Sequence, residues 1–587
     1  LRGDKMDGYI RNTAEPLAIP SDPSNPPAGA AHRENPATRE FLGRGTLTWR
    51  PDSRFDADLK VFGDKEHDNG ETSGTEVKCA GAHPSTLDLL SGTYVTDPNG
   101  DCKLNGKSSL GALNPNVAQN YTNSNGGVPY TSYNAFITSL TMNYKMDWAT
   151  ITSVTGYWHY NNKGFDSFSY DSSALVLGYN VDSSHAFTQE VRLNTSFKGP
   201  LNFVLGAYYE KSGRDTRGDG AVGYVGPDSR TGQTNNWTLL TSNSGKTYSG
   251  FGQAIYNIRP NIELAAGVRF TREIKDVTLG NSFVNDQFAP LGLVAPEGEF
   301  STGHFANSNW SPEATLTWHP TSRTTLYAAY KTGYKSGGFS NPSILSGGQN
   351  ASNLGFQPEH TRGGEVGAKG SFFGGKLSVN AAVYRYTYKG LQLTSFNPVP
   401  PSFTIKNAAS ARTTGVEIDT SYQLTREIQV RLAGGYNKAK YLSFPEAACY
   451  AGQTAATGCT GANGTQDLSG APLVRAPKVS LTGGITYDTP ISDTMNFGLS
   501  GDANYTSGYW LLENENPNGY QKAFARVNAS VRIHRADDTW ELAFIGRNLT
   551  NKYYGIAGNE KPFGTPDEIE VSIGRPRELL LQGTVRF

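Results

Sequence analysis

The sequence predicts an all-β fold, a transmembrane antiparallel up-and-down barrel of about 19–20 strands occupying residues 1–587. Three observations predict it. Segment after segment alternates apolar and polar residues with a strict period of two, the mark of a strand whose faces see different media. The links between these segments alternate between short and long. Tryptophan and tyrosine recur beside the short links.

Composition agrees with the pattern. The chain has 587 residues, with 67 Gly, 31 Tyr, 4 Met and 37% hydrophobic residues, and its mean hydropathy is −0.48. A wet inner face and an apolar outer face produce this average. No run approaches ~18 apolar residues, which excludes a transmembrane helix, whereas a membrane-crossing strand needs only ~10. The net charge of −1 gives no call for nucleic acid. Residue 1 is Leu, and no charged and apolar leader follows it, so the chain reads as a mature piece or a fragment.

Taken in order, Leu1–Asn12 reads as the tail of a strand, followed by a Pro-rich loop to about Pro36. Arg39–Arg50 and Phe55–Lys65 form a hairpin around Pro51-Asp52-Ser53. A long polar loop then occupies residues 66–130. Further short turns fall at Lys145-Met146-Asp147, Lys198-Gly199-Pro200, Ile258-Arg259-Pro260, Pro320-Thr321-Ser322, Phe373-Gly374-Gly375, Thr425-Arg426, Thr489-Pro490 and Ala536-Asp537-Asp538. Long connections are expected at roughly 163–183, 214–243, 277–307, 338–355, 394–402, 442–471, 511–519 and 555–575.

The clearest hairpin is Lys478–Tyr487 with Met495–Tyr505. Val479, Leu481, Ile485 and Tyr487 oppose Ser480, Thr482 and Thr486, and Phe497, Leu499 and Tyr505 oppose Asn496, Ser500 and Asn504. Trp49, Tyr144, Trp148, Tyr256, Trp318, Tyr422, Tyr487 and Trp540 sit beside short turns, where an interfacial girdle places rings with an apolar body and a polar tip. Cys79, Cys102, Cys449 and Cys459 fall in two local pairs inside Gly-rich stretches, predicting Cys79–Cys102 and Cys449–Cys459 disulfides and an oxidising compartment.

Several stretches, in order, resemble the barrel of a TonB-dependent outer-membrane receptor. They are ITSVTGYWHY (151–160), FTQEVRLNTSF (187–197), LNFVLGAYYE (201–210) and FGQAIYNIRPNIELAAGVRFTRE (251–273). YAAYKTGYKSGGFSNP (327–342), FQPEHTRGGEVGAKGSF (356–372), NAASARTTGVEID (407–419), GRNLTNKYYG (546–555) and GRPRELLLQGTVRF (574–587) complete the set. The resemblance covers almost the whole length. It implies short periplasmic turns, long extracellular loops including 66–130, and a Gram-negative outer membrane with its lipopolysaccharide. Terminal Phe587 resembles the signal that hands such barrels to the assembly machinery. The family's N-terminal plug and TonB-contacting box have no counterpart here, and the chain is expected to be an N-terminally truncated receptor lacking the plug.

By strand parity Glu190, Arg192, Glu365, Lys369, Glu417, Asp419 and Arg547 are expected to line the lumen. Tyr170, Tyr179, Tyr224, Asn235, Asn236 and Trp237 lie in long loops and are the expected ligand contacts, by stacking and hydrogen bonding. Tyr334-Lys335-Ser336 does not satisfy a phosphate-loop spacing. The nine histidines lack metal-ligand spacing, and Glu417 and Glu427 are not a tuned pair, so no catalysis, metal or cofactor is expected. The resemblance implies TonB–ExbB–ExbD-dependent uptake by a monomer, through the missing N-terminal region. A ferric siderophore is the first expectation, and cobalamin, carbohydrates or aromatic compounds follow. A passive porin-like channel and a soluble carbohydrate-binding protein or hydrolase are the alternatives.

Overall fold

A computed structural model describes residues 1–70, 74–121, 123–223, 225–398, 401–461 and 464–586. Its main feature is a 20-stranded antiparallel sheet. The strands are β1 (Arg2–Met6), β2 (Ala37–Trp49), β3 (Phe55–Asn69), β4 (Tyr130–Lys145), β5 (Ala149–Ser167), β6 (Val176–Thr195) and β7 (Leu201–Val222). Next come β8 (Trp237–Arg259), β9 (Ile262–Val284), β10 (Ser301–Thr321), β11 (Thr324–Lys335), β12 (Glu359–Phe372), β13 (Leu377–Pro398) and β14 (Pro401–Gln423). The last are β15 (Ile428–Ser443), β16 (Val479–Ser492), β17 (Met495–Thr506), β18 (Phe524–Arg535), β19 (Trp540–Arg547) and β20 (Glu578–Val585). Successive strands pair in register, as in the ladder of β5 with β6 from Ala149↔Thr195 to Ser167↔Leu177.

The outer face is apolar and unpacked, as a lipid-facing surface must be. Val191, Val366, Leu432, Leu481 and Leu581 are all exposed on it. Trp49, Tyr144, Trp148, Tyr256, Trp318, Tyr422 and Tyr487 are exposed beside the short turns, and Trp540 is half-buried there. A second ring includes Phe136, Tyr248 and Trp310, each exposed. Trp310 and Trp318 share one strand, ~27 Å apart along it at ~3.4 Å per residue. With the strands tilted, the rings stand ~20 Å apart, close to the height of an apolar band.

The strands do not stop at the second ring. β8 and β9 each run 23 residues, far beyond the ~10 that cross a membrane. Above Tyr248 the outer face of β8 turns polar, with Lys246, Ser244 and Ser242. The connections are therefore shorter than the sequence predicts: 168–175 rather than 163–183, 223–236 rather than 214–243, 285–300 rather than 277–307. Apolar contrast fades where lipid ends, although the hydrogen-bonded ladder goes on.

The expected turn at Thr489-Pro490 is also displaced. β16 continues to Ser492, and Thr489 pairs with Phe497 and Pro490 with Asn496. The amide of Asp488 points toward the β15 side, where it donates to Glu427 O at 2.9 Å. Two residues on, Pro490 faces the same side, where β15 has already ended at Ile428↔Tyr487. Its missing N–H forfeits no ladder bond.

The largest buried apolar clusters lie at the long-loop end. One joins Trp237, Leu239, Val277, Leu279, Phe288, Ile344 and Leu345. A second joins Ile19, Leu113, Tyr121, Phe165, Leu175 and Tyr179, and a third joins Ile10, Leu511, Leu512, Ile569 and Val571. Together the loops make a cap. Residues 75–78 pair with 569–573, which pair with 555–560, so the loop after β3 and the loop after β19 share one small sheet. Leu87 N donates to Phe563 O at 2.8 Å. Disulfides Cys79–Cys102 and Cys449–Cys459 close two segments of the same cap. Among the described residues no helix is long and apolar enough to cross a membrane.

Inside the barrel, aromatic rings lie across glycines of the neighbouring strand. A Cβ on Gly206 would come within 2.2 Å of the Phe251 ring, and one on Gly367 within 2.4 Å of the Tyr327 ring. Both pairs are cross-strand partners.

Candidate transport path and ligand-facing surfaces

The lumenal wall alternates with the lipid face. Glu190 and Arg192 flank the exposed Val191 and so face inward, where they pair at 3.6 Å. Glu365 accepts the hydroxyl of Tyr327, and Lys369 Nζ stands 5.8 Å from the centre of the same ring. Tyr327, Lys369, Glu417 and Asp419 line one recess of about 420 Å³, so three residues expected to line the lumen share one stretch of wall. Arg547 pairs with Glu578 at 3.7 Å. The wall is polar, and some of its charges pair across it, as Glu190 does with Arg192 and Arg547 with Glu578.

Lumenal residues that parity marks but that were not singled out carry much of the wiring. Lys275 Nζ donates to Ser336 Oγ at 2.8 Å and to Gly337 O at 2.9 Å. Tyr334 donates to Glu273 at 2.6 Å. The YKSGG stretch is thus a turn braced from β9, consistent with its failed phosphate-loop spacing. At the short-turn mouth, Arg532 meets Asp488 at 2.6 Å, and His534 stands 3.2 Å from Asp488 and 3.4 Å from Asp538. The signal available was the inward parity of Arg532 and His534.

The loop residues expected to contact ligand lie mostly inside the cap. Asn235 and Asn236 are fully buried and Trp237 is 3% exposed. Asn235 Nδ2 donates to Thr238 Oγ1 at 3.2 Å, and Asn236 bridges two loops by donating its N–H to Gly220 O and accepting from Asn285 N. Tyr179 is buried in the second cluster. Tyr170, half-buried at a positive φ of 52°, bonds to the Glu570 carboxyl. Tyr224 and Phe587 lie outside the described residues. An aromatic or amide side chain in a long loop signals packing as readily as recognition, and sequence alone does not separate the two.

The cap is held by a buried ion cluster. Lys561, with a fully buried side chain, meets Asp171 at 3.1 Å and Glu568 at 3.4 Å. It also donates to Ser85 O and Thr86 Oγ1, each at 2.7 Å. Glu568 in turn accepts from Ser85 N at 2.9 Å. Three loops therefore meet at one ammonium. Elsewhere in the cap burial pushes the Glu76 carboxyl up to about 7, outweighing the amides of Asn105 and Gly106 that donate to it. Burial pushes Glu513 up to about 7 as well. The Arg230 guanidinium, 2.9 Å from both Asp228 and Glu297, holds those carboxyls below their usual range.

Among the described residues no group of three or more His, Cys, Asp and Glu is placed to hold a metal ion. What the arrangement offers is a polar, charged conduit roofed by interlocked loops.

Comparison with known proteins places this architecture. The family described as TonB dependent receptor-like, beta-barrel, matches residues 80–549. The ferric yersiniabactin uptake receptor FyuA from Yersinia pestis is similar over 100% of this chain and 74% of its own, at 13% identity and a TM-score of 0.70. The siderophore receptor PiuA from Acinetobacter baumannii matches 94% of this chain and 75% of its own, at 16% identity and a TM-score of 0.66. The copper transporter OprC matches 100% and 75%, at 12% identity and a TM-score of 0.62. At these identities the likeness is one of fold, and the family match carries membership. This chain belongs to the TonB-dependent receptor β-barrel family, the transport receptors of the Gram-negative outer membrane.

Proposed function

We propose that the chain is the barrel of a receptor that takes up a ferric siderophore with energy delivered through TonB–ExbB–ExbD. The observation that carries the reading is the roofed conduit. Loops tied to one another by the Lys561 cluster and a shared sheet suit capture and gated release, whereas a passive pore needs an open mouth. The likeness to the ferric yersiniabactin uptake receptor FyuA and the siderophore receptor PiuA supports iron as the cargo metal. The likeness to OprC favours copper as the second reading.

In this reading residues 1–587 are one barrel unit, its largest extracellular loop is the connection at 70–129 rather than the expected 66–130 because β3 runs on to Asn69, and the protein works as a monomer among lipopolysaccharide. The barrel-assembly machinery inserts it. Tyr179, Asn235, Asn236 and Trp237 shape the loops that meet the ligand, and Glu190, Arg192, Glu365, Lys369, Glu417, Asp419 and Arg547 line the path below.

The test is uptake of radiolabelled ferric siderophores by source cells with and without the gene, before and after a protonophore, alongside protein abundance in iron-replete and iron-starved membranes. Gene-dependent uptake that the protonophore abolishes, with abundance rising on iron starvation, is the expected result. Gene-dependent uptake insensitive to the protonophore makes the barrel a passive channel. Abundance that rises only on a complex carbohydrate or on copper limitation overturns the siderophore reading.

A further inference from the structure

The geometry points to a carboxylate-binding site in the lumenal wall, beneath the cap, that the general polar lining does not account for. A cavity of about 680 Å³ lies where β17, β18, β19 and the start of β20 meet the loops around Tyr9 and Tyr554. Three guanidiniums border it, those of Arg526, Arg547 and Arg575. They come from three separate elements, so their convergence is a tertiary feature rather than a run of charge.

The three are not equivalent. Arg547 and Arg575 share one carboxylate, Glu578, at 3.7 and 3.0 Å. Arg526 has no carboxylate within ion-pair distance among the described residues. Its one side-chain hydrogen bond among the described residues runs from Nη1 to the Tyr554 hydroxyl at 2.9 Å, and its guanidinium carbon lies 5.0 Å from the centre of that ring. Its Nε is buried and makes no hydrogen bond. A buried donor on a permanently charged group is costly to leave unpaired. The tyrosine is itself fixed, stacked on Phe524 at 4.5 Å and seated where a Cβ on Gly574 would strike its ring at 2.0 Å. Arg526 is thereby held in position beforehand, with part of its fork unused.

Charge and shape give the ligand class. Against the three arginines the lining holds two carboxylates, Glu578 and Asp502, and Asp502 is engaged by Asn528 Nδ2 at 2.8 Å. One positive charge is left over. The planar fork of arginine matches a carboxylate in bidentate fashion. Ile556 and Ile573 supply an apolar side to the same cavity. The occupant is a small organic molecule carrying at least one carboxylate on an apolar or aliphatic body. The assignment does not depend on the siderophore reading, since it concerns the carboxylate and not a metal.

The experiment is calorimetric titration of the full chain, purified in detergent from outer membranes, with iron-free tricarballylate and separately with inorganic phosphate. Saturable binding of tricarballylate is expected. Arg526→Gln and Arg575→Gln should each weaken it about tenfold or more, and Arg526→Lys should weaken it less. Arg269→Gln, on the lumenal face of β9 and nine strands away from β18 in the sheet, should leave it unchanged. Every variant is checked for heat-modifiable gel mobility, which reports an intact barrel. No saturable binding by the intact barrel overturns the proposal, as does unchanged affinity in both Gln variants. Tighter binding of phosphate than of tricarballylate overturns the carboxylate class. Failure of iron uptake in cells bears on the proposed function and leaves this result standing.

Discussion

The lipid-facing wall and the extracellular cap are built from the same kind of chain by opposite means. The wall is held by neighbour-to-neighbour ladders, and its large apolar side chains remain exposed, Val366 at 63% and Leu581 at 74%. The cap has conventional cores in which Trp237, Leu279 and Ile569 are all but inaccessible, and it pins them with a buried ion cluster and two disulfides. The membrane supplies the wall's apolar environment, so the wall needs only alternation. The cap stands in water and must make its own interior.

The sharpest way to break the comparison is Lys561→Ala. It leaves Asp171 and Glu568 buried without their cation, and should cost the cap about 3–5 kcal/mol. Limited proteolysis and hydrogen exchange should find the loops at 75–106 and 555–573 opened, with the barrel still heat-modifiable. Simultaneous loss of heat-modifiability would show that wall and cap are one cooperative unit. The converse variant is Val366→Arg on the lipid face, expected to cost about 2–4 kcal/mol near mid-membrane. It should lower the barrel's unfolding midpoint in denaturant and leave protease protection of the cap intact.

Removing the Cys449–Cys459 bridge by a double serine substitution comes next, at about 2–3 kcal/mol for a closure this short. The effect should be confined to exchange in residues 444–478.

The smallest effect is that of pH. Glu76 and Glu513 have folded pKa values raised from 4.5 to about 7, so between those values the folded cap binds more protons than the unfolded chain. Its stability is fully present below pH 4.5 and falls as pH rises through about 7. Exchange in residues 75–78 and 511–519 should be slower near pH 5 than near pH 8, after correction for intrinsic rates, and slower exchange near pH 8 would contradict the assignment. The wall should show no such trend.

The same contrast explains what was legible in the sequence. The wall is encoded locally, so period two located the strands and most of the short turns. It failed at Pro490, where a residue that ordinarily ends a strand faces a side with no partner. It failed again at the upper limits of β5 to β10, where both faces become polar. The cap is encoded by contacts far apart along the chain, Lys561 reaching Ser85 across 476 residues, and no local pattern announces them. Hence Asn235, Asn236 and Trp237 read from sequence as ligand contacts in a long loop, and the structure places them in the cap's interior. Alternation along β18 gives Arg526 an inward face, but its convergence with Arg547 and Arg575 is a product of the fold.

The glycines that receive lumenal rings make room for them in the wall of the conduit. The tip of the Phe251 ring lies over Gly206, and that of Tyr327 over Gly367, each occupying the depth of an absent side chain. A methyl group at either glycine would lift its ring from the wall into the passage. Two alanines, adding almost nothing to mass or charge, would narrow the bore by roughly the thickness of the displaced rings, and the largest cargo would be excluded first.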